Sequence, residues 1–247
     1  MRLVCKTVVL SAMLFGAHLL RADWNPEMLW KDRDPSLLAS EDIVALKKRV
    51  CEGLQNSWCS KEKIHLLMDL VLMEKPRLCV EIGAFTGSSV LPVASSLHHL
   101  RRGKIYAIDA WSNVIAVRNM EADDPNKTWW ATVNMYSVQE AFSLLMSAFA
   151  VRDFVQPIPL PSEEAIDFIN QEIDFLHLDG DYSEEGALLD VELYVPKVKK
   201  GGYILLSNIF TMVNKKPPKL KAFHVLAESC EIVADIENEN AVLFRKN

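Results

Sequence analysis

The sequence predicts an α/β domain built on a doubly wound, mostly parallel sheet that an antiparallel hairpin closes. Three observations point there. Five short, nearly continuous apolar runs (RLCVEIGA, KIYAIDA, FVQPIPL, IDFLHLD and GYILLSN) read as strands buried on both faces. Helical segments, roughly residues 88–101, 134–149, 162–170 and 184–199, separate them, and that alternation is the pattern of a parallel sheet covered by helices. The chain then changes habit. SCEIVADIENENAVLFRKN reads as two strands joined by a polar turn from Glu237 to Asn240.

In chain order, the first 22 residues have the layout of an export signal. Arg2 and Lys6 precede a short apolar stretch, Thr7 to Leu20, and Ala22 is placed before the cleavage point. The stretch is too short for a permanent membrane anchor, so the expected destination is periplasmic or secreted. An uncleaved N-terminal helix on a cytoplasmic protein is the alternative. Residues 23–59 form a Pro-punctuated lead-in and a helix, in which Ile43, Leu46, Val50 and Leu54 recur at helical spacing behind Glu41 and Asp42. A second helix, KEKIHLLMDLVLME, follows Ser60 and stops at Pro76. Pro92 fits the next helix only if that helix begins near Ser88 or Ser89.

Half of the 247 residues are apolar, which suffices for one full-sized core. The formal charge is −6, and −9 once residues 1–22 with their three bases and no acid are gone. An acidic body disfavours nucleic acid as a partner. No cysteine or histidine cluster has zinc-ligand spacing; Cys51 and Cys59 are near enough in sequence to pair in an oxidising compartment, and Cys79 reads as core.

Ligands of an open parallel sheet bind beyond the carboxyl ends of the strands. Those ends carry Glu81, Gly83, Phe85, Gly87 and Ser89; then Asp109 and Trp111; then Pro161-Ser162-Glu163; then Asp179-Gly180-Asp181; and finally Ser207-Asn208. GAFTG lacks the Gly-Lys-Ser/Thr of a P-loop and is not GxGxxG. What remains is a tight turn that lets a cofactor approach the backbone at a helix N-terminus, with Asp109 placed for ribose hydroxyls. Together they favour a nucleoside-containing ligand without a phosphate.

VEIGAFTGSS, YAIDAWS, the TWW segment at 128–130, LHLDGDYSEEGALLDVELYVPKVKKGGYILLSN and the terminal hairpin resemble class I S-adenosylmethionine-dependent methyltransferases. The resemblance spans residues 60–247 and is to the branch of catechol-type and macrolide-sugar (macrocin-type) O-methyltransferases. It implies a Rossmann-like fold with a seven-stranded sheet of order 3-2-1-4-5-7-6 and S-adenosylmethionine lying across strands one to three. It further implies Glu81 and Gly83 beside the methionine and ribose, Phe85 near the sulfonium and Ser89 at the methionine carboxylate. Asp109 would grip the ribose, and Ser162 and Glu163 would border the adenine. Relatives hold a divalent cation, magnesium, with the acid matching Asp179 and an acidic or Asp-Asn pair after strand five. Here that pair is Ser207-Asn208, and a hydroxyl is a poor magnesium ligand. Asp181 matches a candidate general base, with Asp179 beside it on the substrate side.

The expected activity is methyl transfer to a hydroxyl of a small, otherwise unspecified acceptor, by a monomer or a homo-oligomer. The competing reading is an exported binding protein or secreted effector with this fold and a decayed catalytic end. Trp111, Trp129 and Trp130 either stack on the acceptor or pack. The basic stretch NKKPPKLK after strand five, with Lys215, Lys216, Lys219 and Lys221, is either a substrate lid or a solvated loop.

Overall fold

The computed structural model describes residues 34–213, 217–236 and 240–247. The export signal and most of the hairpin turn fall outside these residues. Helix α1 (Glu41–Gly53) and helix α2 (Lys61–Glu74) precede the sheet. The Ser60 hydroxyl caps α2 by accepting the Lys63 N–H (3.1 Å), and Lys75 ends it in a left-handed conformation before Pro76. Most of α2 is buried, as expected of a helix apolar on nearly every face.

The alternation then runs as predicted: β1 (Leu78–Ile82), α3 (Val90–Leu100), β2 (Lys104–Ile108), the short helices α4 (Asn113–Val117) and α5 (Lys127–Thr132), and α6 (Met135–Ala148). It continues with β3 (Val155–Ile158), α7 (Ser162–Ala165), β4 (Ile173–Leu178), α8 (Glu184–Tyr194), β5 (Val198–Ser207), α9 (Leu220–Ser229), β6 (Cys230–Ile236) and β7 (Ala241–Lys246). Pro92 falls in the first turn of α3, where no intrahelical N–H is required of it. Helix α8 stops at Tyr194, short of the expected 199. Pro196 sits in a 3-10 turn, and the backbone from Val198 is already paired with β4. Helix α9, not expected from the sequence, begins at Leu220, at the end of the lysine- and proline-rich stretch. Its Ala222, Phe223 and Leu226 are buried and cover the sheet.

The seven strands are ordered β3-β2-β1-β4-β5-β7-β6, parallel from β3 to β5 and antiparallel at β7 and β6. Strand order therefore reverses between β1 and β4, and that crevice is where such sheets take ligands. Helices cover both faces. Leu78, Val80 and Ile82 of β1, Leu176 and Leu178 of β4, and Ile204 and Leu206 of β5 point to the α8–α9 layer. Cys79, Phe175, Tyr203 and Leu205 point to the α1–α2–α3 layer. Strand alternation puts Glu81, His177 and Ser207 on this second face, one buried polar residue in each of three strands. Cys51 and Cys59 are not joined by a disulfide, and the Cys51 Sγ lies 3.6 Å from His65 Nε2. Among the described residues no helix is long and apolar enough to cross a membrane.

Candidate active site

One cavity opens at the carboxyl ends of β1 to β4. Gly83, Ala84, Phe85 and Ser89 line it from the β1–α3 turn, Asp109 and Ser112 from the end of β2, Pro161 and Ser162 from the end of β3, and Asp179 to Tyr182 from the end of β4. Of the predicted cofactor contacts, five therefore line the cavity: Gly83, Phe85, Ser89, Asp109 and Ser162. Glu81 and Glu163 behave differently.

The turn after β1 is held by Asp109. Its Oδ2 accepts the Phe85 N–H (2.9 Å) and its Oδ1 the Trp111 N–H (2.7 Å), and the Trp111 indole N–H donates to the Phe85 carbonyl (2.9 Å). Both carboxylate oxygens keep lone pairs for further hydrogen bonds. Burial raises the Asp109 pKa, and the two backbone N–H groups offset only part of that. Gly83 has φ +88° and its N–H donates to the Ile108 carbonyl. A Cβ there would lie 2.5 Å from the Asp179 carbonyl oxygen, so the glycine lets the ends of β1 and β4 approach.

Glu81 is fully buried beneath the turn. Its Oε1 accepts the Ser89 hydroxyl, and its Oε2 lies 3.3 Å from His177 Nδ1, its register partner on β4. Ser89 thus reaches the cavity while tied to Glu81. At the β3 end, Ser162 Oγ donates to Asp190 Oδ1 (2.5 Å) and the Ser162 carbonyl accepts the Tyr194 hydroxyl (2.7 Å). Burial lifts the Asp190 carboxyl to about 7. Glu163 turns to Arg118 in a bidentate pair, with Nη2 to Oε2 at 2.9 Å. This pair joins the segment after α4 to α7 across the cavity mouth, and Asn119 adds a second tie by donating to Asp181 Oδ2 (2.7 Å).

At the other end, Lys63 of α2 projects into the cavity wall. Its Nζ donates to Asp179 Oδ2 (3.1 Å) and to Ser207 Oγ (3.0 Å), and Ser207 Oγ is 2.9 Å from His177 Nε2. Asn208, in the left-handed region at φ +62°, donates its amide to Asp179 Oδ1 (2.6 Å) and to the Tyr182 oxygen (2.9 Å). Lys219 Nζ, also buried, lies 3.9 Å from Asp179 Oδ1 and 4.9 Å from the Tyr182 ring centroid. Burial works to raise the Asp179 pKa, but Lys63, Lys219 and His177 outweigh it and leave the carboxyl below its usual value.

The expected metal ligands Asp179 and Asn208 do meet, but the set does not suit a divalent cation. Asp179 already faces two ammonium groups, and Asn208 turns its NH2 rather than its carbonyl oxygen toward it. Ser207 supplies only a hydroxyl, whereas hard cations want several carboxylate and carbonyl oxygens. Among the described residues no group of three or more His, Cys, Asp and Glu side chains is arranged for a metal.

Aromatic rings frame the mouth. Trp58 stacks on Phe85 (centroids 5.0 Å apart, planes 5° apart), and Trp129 and Trp130 lean on the same ring. Trp58 is 70% exposed and Trp129 44%, so both offer open faces. Trp111 is buried against Phe142 and packs.

The model of a methyltransferase domain family matches residues 80–209, more than half of the chain. The chain belongs to this family. No curated protein matches the methyltransferase at the sequence level. Among solved structures, the O-methyltransferase NovP superposes with a TM-score of 0.58 at 17% identity, over 87% of this chain and 100% of its own. The O-methyltransferase TomG from Streptomyces achromogenes, solved with SAM, gives 0.56 at 14% identity over 90% and 96% of the two chains. An O-methyltransferase from Bacillus cereus, solved with SAH, gives 0.55 at 12% identity over 86% and 94%. At such identities the likeness is one of fold.

Six site residues escaped the sequence reading: Lys63, His177, Asp190, Trp58, Arg118 and Asn119. Lys63, His177 and Asp190 did leave a signal. Each is a polar residue in phase with the buried face of its element. Trp58, Arg118 and Asn119 left none.

Proposed function

We propose that this methyltransferase transfers a methyl group from S-adenosylmethionine to a hydroxyl oxygen of a small molecule. One observation carries the reading: a buried Asp109 at the end of β2 braces, through two backbone N–H groups, the glycine turn that lines the cavity at the end of β1. That arrangement gives a ribose a carboxylate acceptor and gives the amino-acid portion an approach to backbone at Gly83 and to the Ser89 hydroxyl. Ser162 borders the adenine. Phe85, with its ring in the aromatic frame, offers a π face to a sulfonium.

When bound, the cofactor supplies a methyl group on a sulfonium, whose carbon–sulfur electron pair stays on sulfur as the acceptor oxygen takes the methyl. The chain's own work is to position the acceptor and remove its proton. Of the two cavity carboxylates, Asp181 is assigned as the base. Its hydrogen bonds come from neutral groups, the Asn119 amide and the Ser183 N–H (2.8 Å), with Arg118 and Lys219 acting on it only from further off, whereas Asp179 is ion-paired directly with Lys63 and Lys219. A transferring reading accounts for Lys63, Asp179 and Asp181 at one end of the cavity; a purely binding module has no use for them.

Titration calorimetry with S-adenosylmethionine and S-adenosylhomocysteine tests the proposal. Both are expected to bind, and Asp109→Ala is expected to weaken each at least tenfold, about 1.4 kcal/mol. A folded wild-type protein that binds neither would sink it.

A further inference from the structure

We propose that Lys63 stands in the place a divalent cation would take: its ammonium binds the acceptor oxygen and supports its negative charge as Asp181 removes the proton, so that methyl transfer needs no metal. The inference deepens the function proposed above and rests on it. The geometry is specific. An ammonium has three N–H donors. Two go to Asp179 Oδ2 and Ser207 Oγ, which fixes the nitrogen at the end of the cavity, beside the Asp179–Asn208 pair. The third is the donor an acceptor oxygen in the cavity can take up; the Cys59 thiol, which also lines the cavity, is a weak acceptor.

The surroundings keep Lys63 charged. Burial alone would lower its pKa, but Asp179, then Cys59 and Glu81, more than offset that and hold it above the ordinary value. Other charged or titratable groups facing this cluster are His177 from β4, Tyr182 just after β4, and Lys219, which precedes α9. Lys219 Nζ has no hydrogen-bond partner among the described residues, and burial outweighs Asp179 and Asp190 to lower its pKa. A divalent cation on Asp179 would have to sit against the Lys63 ammonium and displace it. The same ammonium that excludes the metal can do the electrostatic part of its work on a developing oxyanion, in a site partly shut off from water.

Two measurements test this on the full chain saturated with S-adenosylhomocysteine. The first follows free Mn2+ by electron paramagnetic resonance. Wild-type protein is expected to show no site tighter than a Kd of about 1 mM. The double replacement Lys63→Ala with Ser207→Asp, which removes the ammonium and adds a carboxylate, is expected to bind Mn2+ at least tenfold tighter. A tight Mn2+ site in the wild type would overturn the inference. The second uses 4-nitrophenol as an ionisable oxygen probe and reads its phenolate absorbance against pH. Wild-type protein is expected to lower the probe's apparent pKa, and Lys63→Met is expected to abolish that shift, with Lys63→Gln as the second variant should Met fold poorly. Identical titration curves for wild type and variant overturn the role at the acceptor oxygen. S-Adenosylhomocysteine affinity, measured on each protein, separates the two proposals: the Lys63 variants keep it within a few-fold if only the acceptor end is altered, whereas its absence in the wild type counts against the cofactor reading itself.

Discussion

Replacing Gly83 by alanine tests the join between β1 and β4 that shapes the floor of the cavity. Two costs can be separated. Gly83 holds φ +88°, a backbone region that costs a residue with a Cβ roughly 1–2 kcal/mol. The new Cβ would also lie 2.5 Å from the Asp179 carbonyl oxygen, 2.8 Å from its carbon and 2.9 Å from Gly180 Cα, where ordinary contact begins near 3.4 Å. All three atoms are backbone, so no flexible side chain can swing away, and overpacking of this kind adds about 1–3 kcal/mol. The sum is a loss of about 2–5 kcal/mol. Gly201 of β5 is the internal comparison. It has φ +73°, but its nearest new neighbour is the end of the Arg245 side chain at 3.7 Å, so Gly201→Ala should show the backbone cost alone, about 1–2 kcal/mol. Urea unfolding of the two variants beside the wild type gives both numbers on one scale. A Gly83→Ala variant no less stable than Gly201→Ala would refute the claim that β1 and β4 touch at this point. Because the same push displaces Asp179 and the turn lining the cavity, Gly83→Ala should also lose cofactor affinity, while Gly201→Ala should not.

Asp190 should make stability depend on pH in a direction opposite to that of a salt-bridged acid. Its carboxyl stays protonated in the folded chain up to about 7 against 3.8 for the free group, so between those values the folded state holds the extra proton and stability falls as pH rises. Asp190→Asn, which still accepts from Ser162, should match the wild type near pH 4 and gain on it up to pH 7, by at most about 4 kcal/mol; parallel stability profiles from pH 4 to 8 would remove the effect. Separately, we propose that residues 1–22 act as an export signal; the mature chain would then start at Asp23, intact-mass measurement of the protein recovered outside the cytoplasm checks it, and a retained Met1 on protein found only in the cytoplasm would contradict export.

Much of the fold was legible because parallel strands buried on both faces leave continuous apolar runs, and because Gly, Asp and Ser collect where those runs end. The cofactor end followed from the same punctuation. Asp109 and Gly83 are local signals, each decided by its own strand and turn. The acceptor end is not local. Lys63 meets Asp179 across 116 residues and Ser207 across 144, so no spacing in the chain announces the cluster. Only the phase of Lys63 within its helix and of His177 within its strand hints that either is turned inward. Helix α9 was not read from the sequence, although Ala222, Phe223 and Leu226 recur at helical spacing and are buried; Lys219, just before it, reads as part of a solvated basic stretch yet is buried.

The polar row of Glu81, His177 and Ser207, with Lys63 packed upon it, has a consequence for how this protein can change. Buried ionic groups seldom repay their dehydration, and well-packed apolar replacements of similar size are often as stable or more so. Selection for folding alone would therefore drift these positions toward leucine, methionine and valine, and the chain would grow sturdier as it went inert. The domain's firmness and its chemistry pull in opposite directions at this layer, so variants isolated for heat resistance should be inspected here first, because a gain in melting temperature at Lys63 or His177 would mark a loss of the site rather than an improvement of the enzyme.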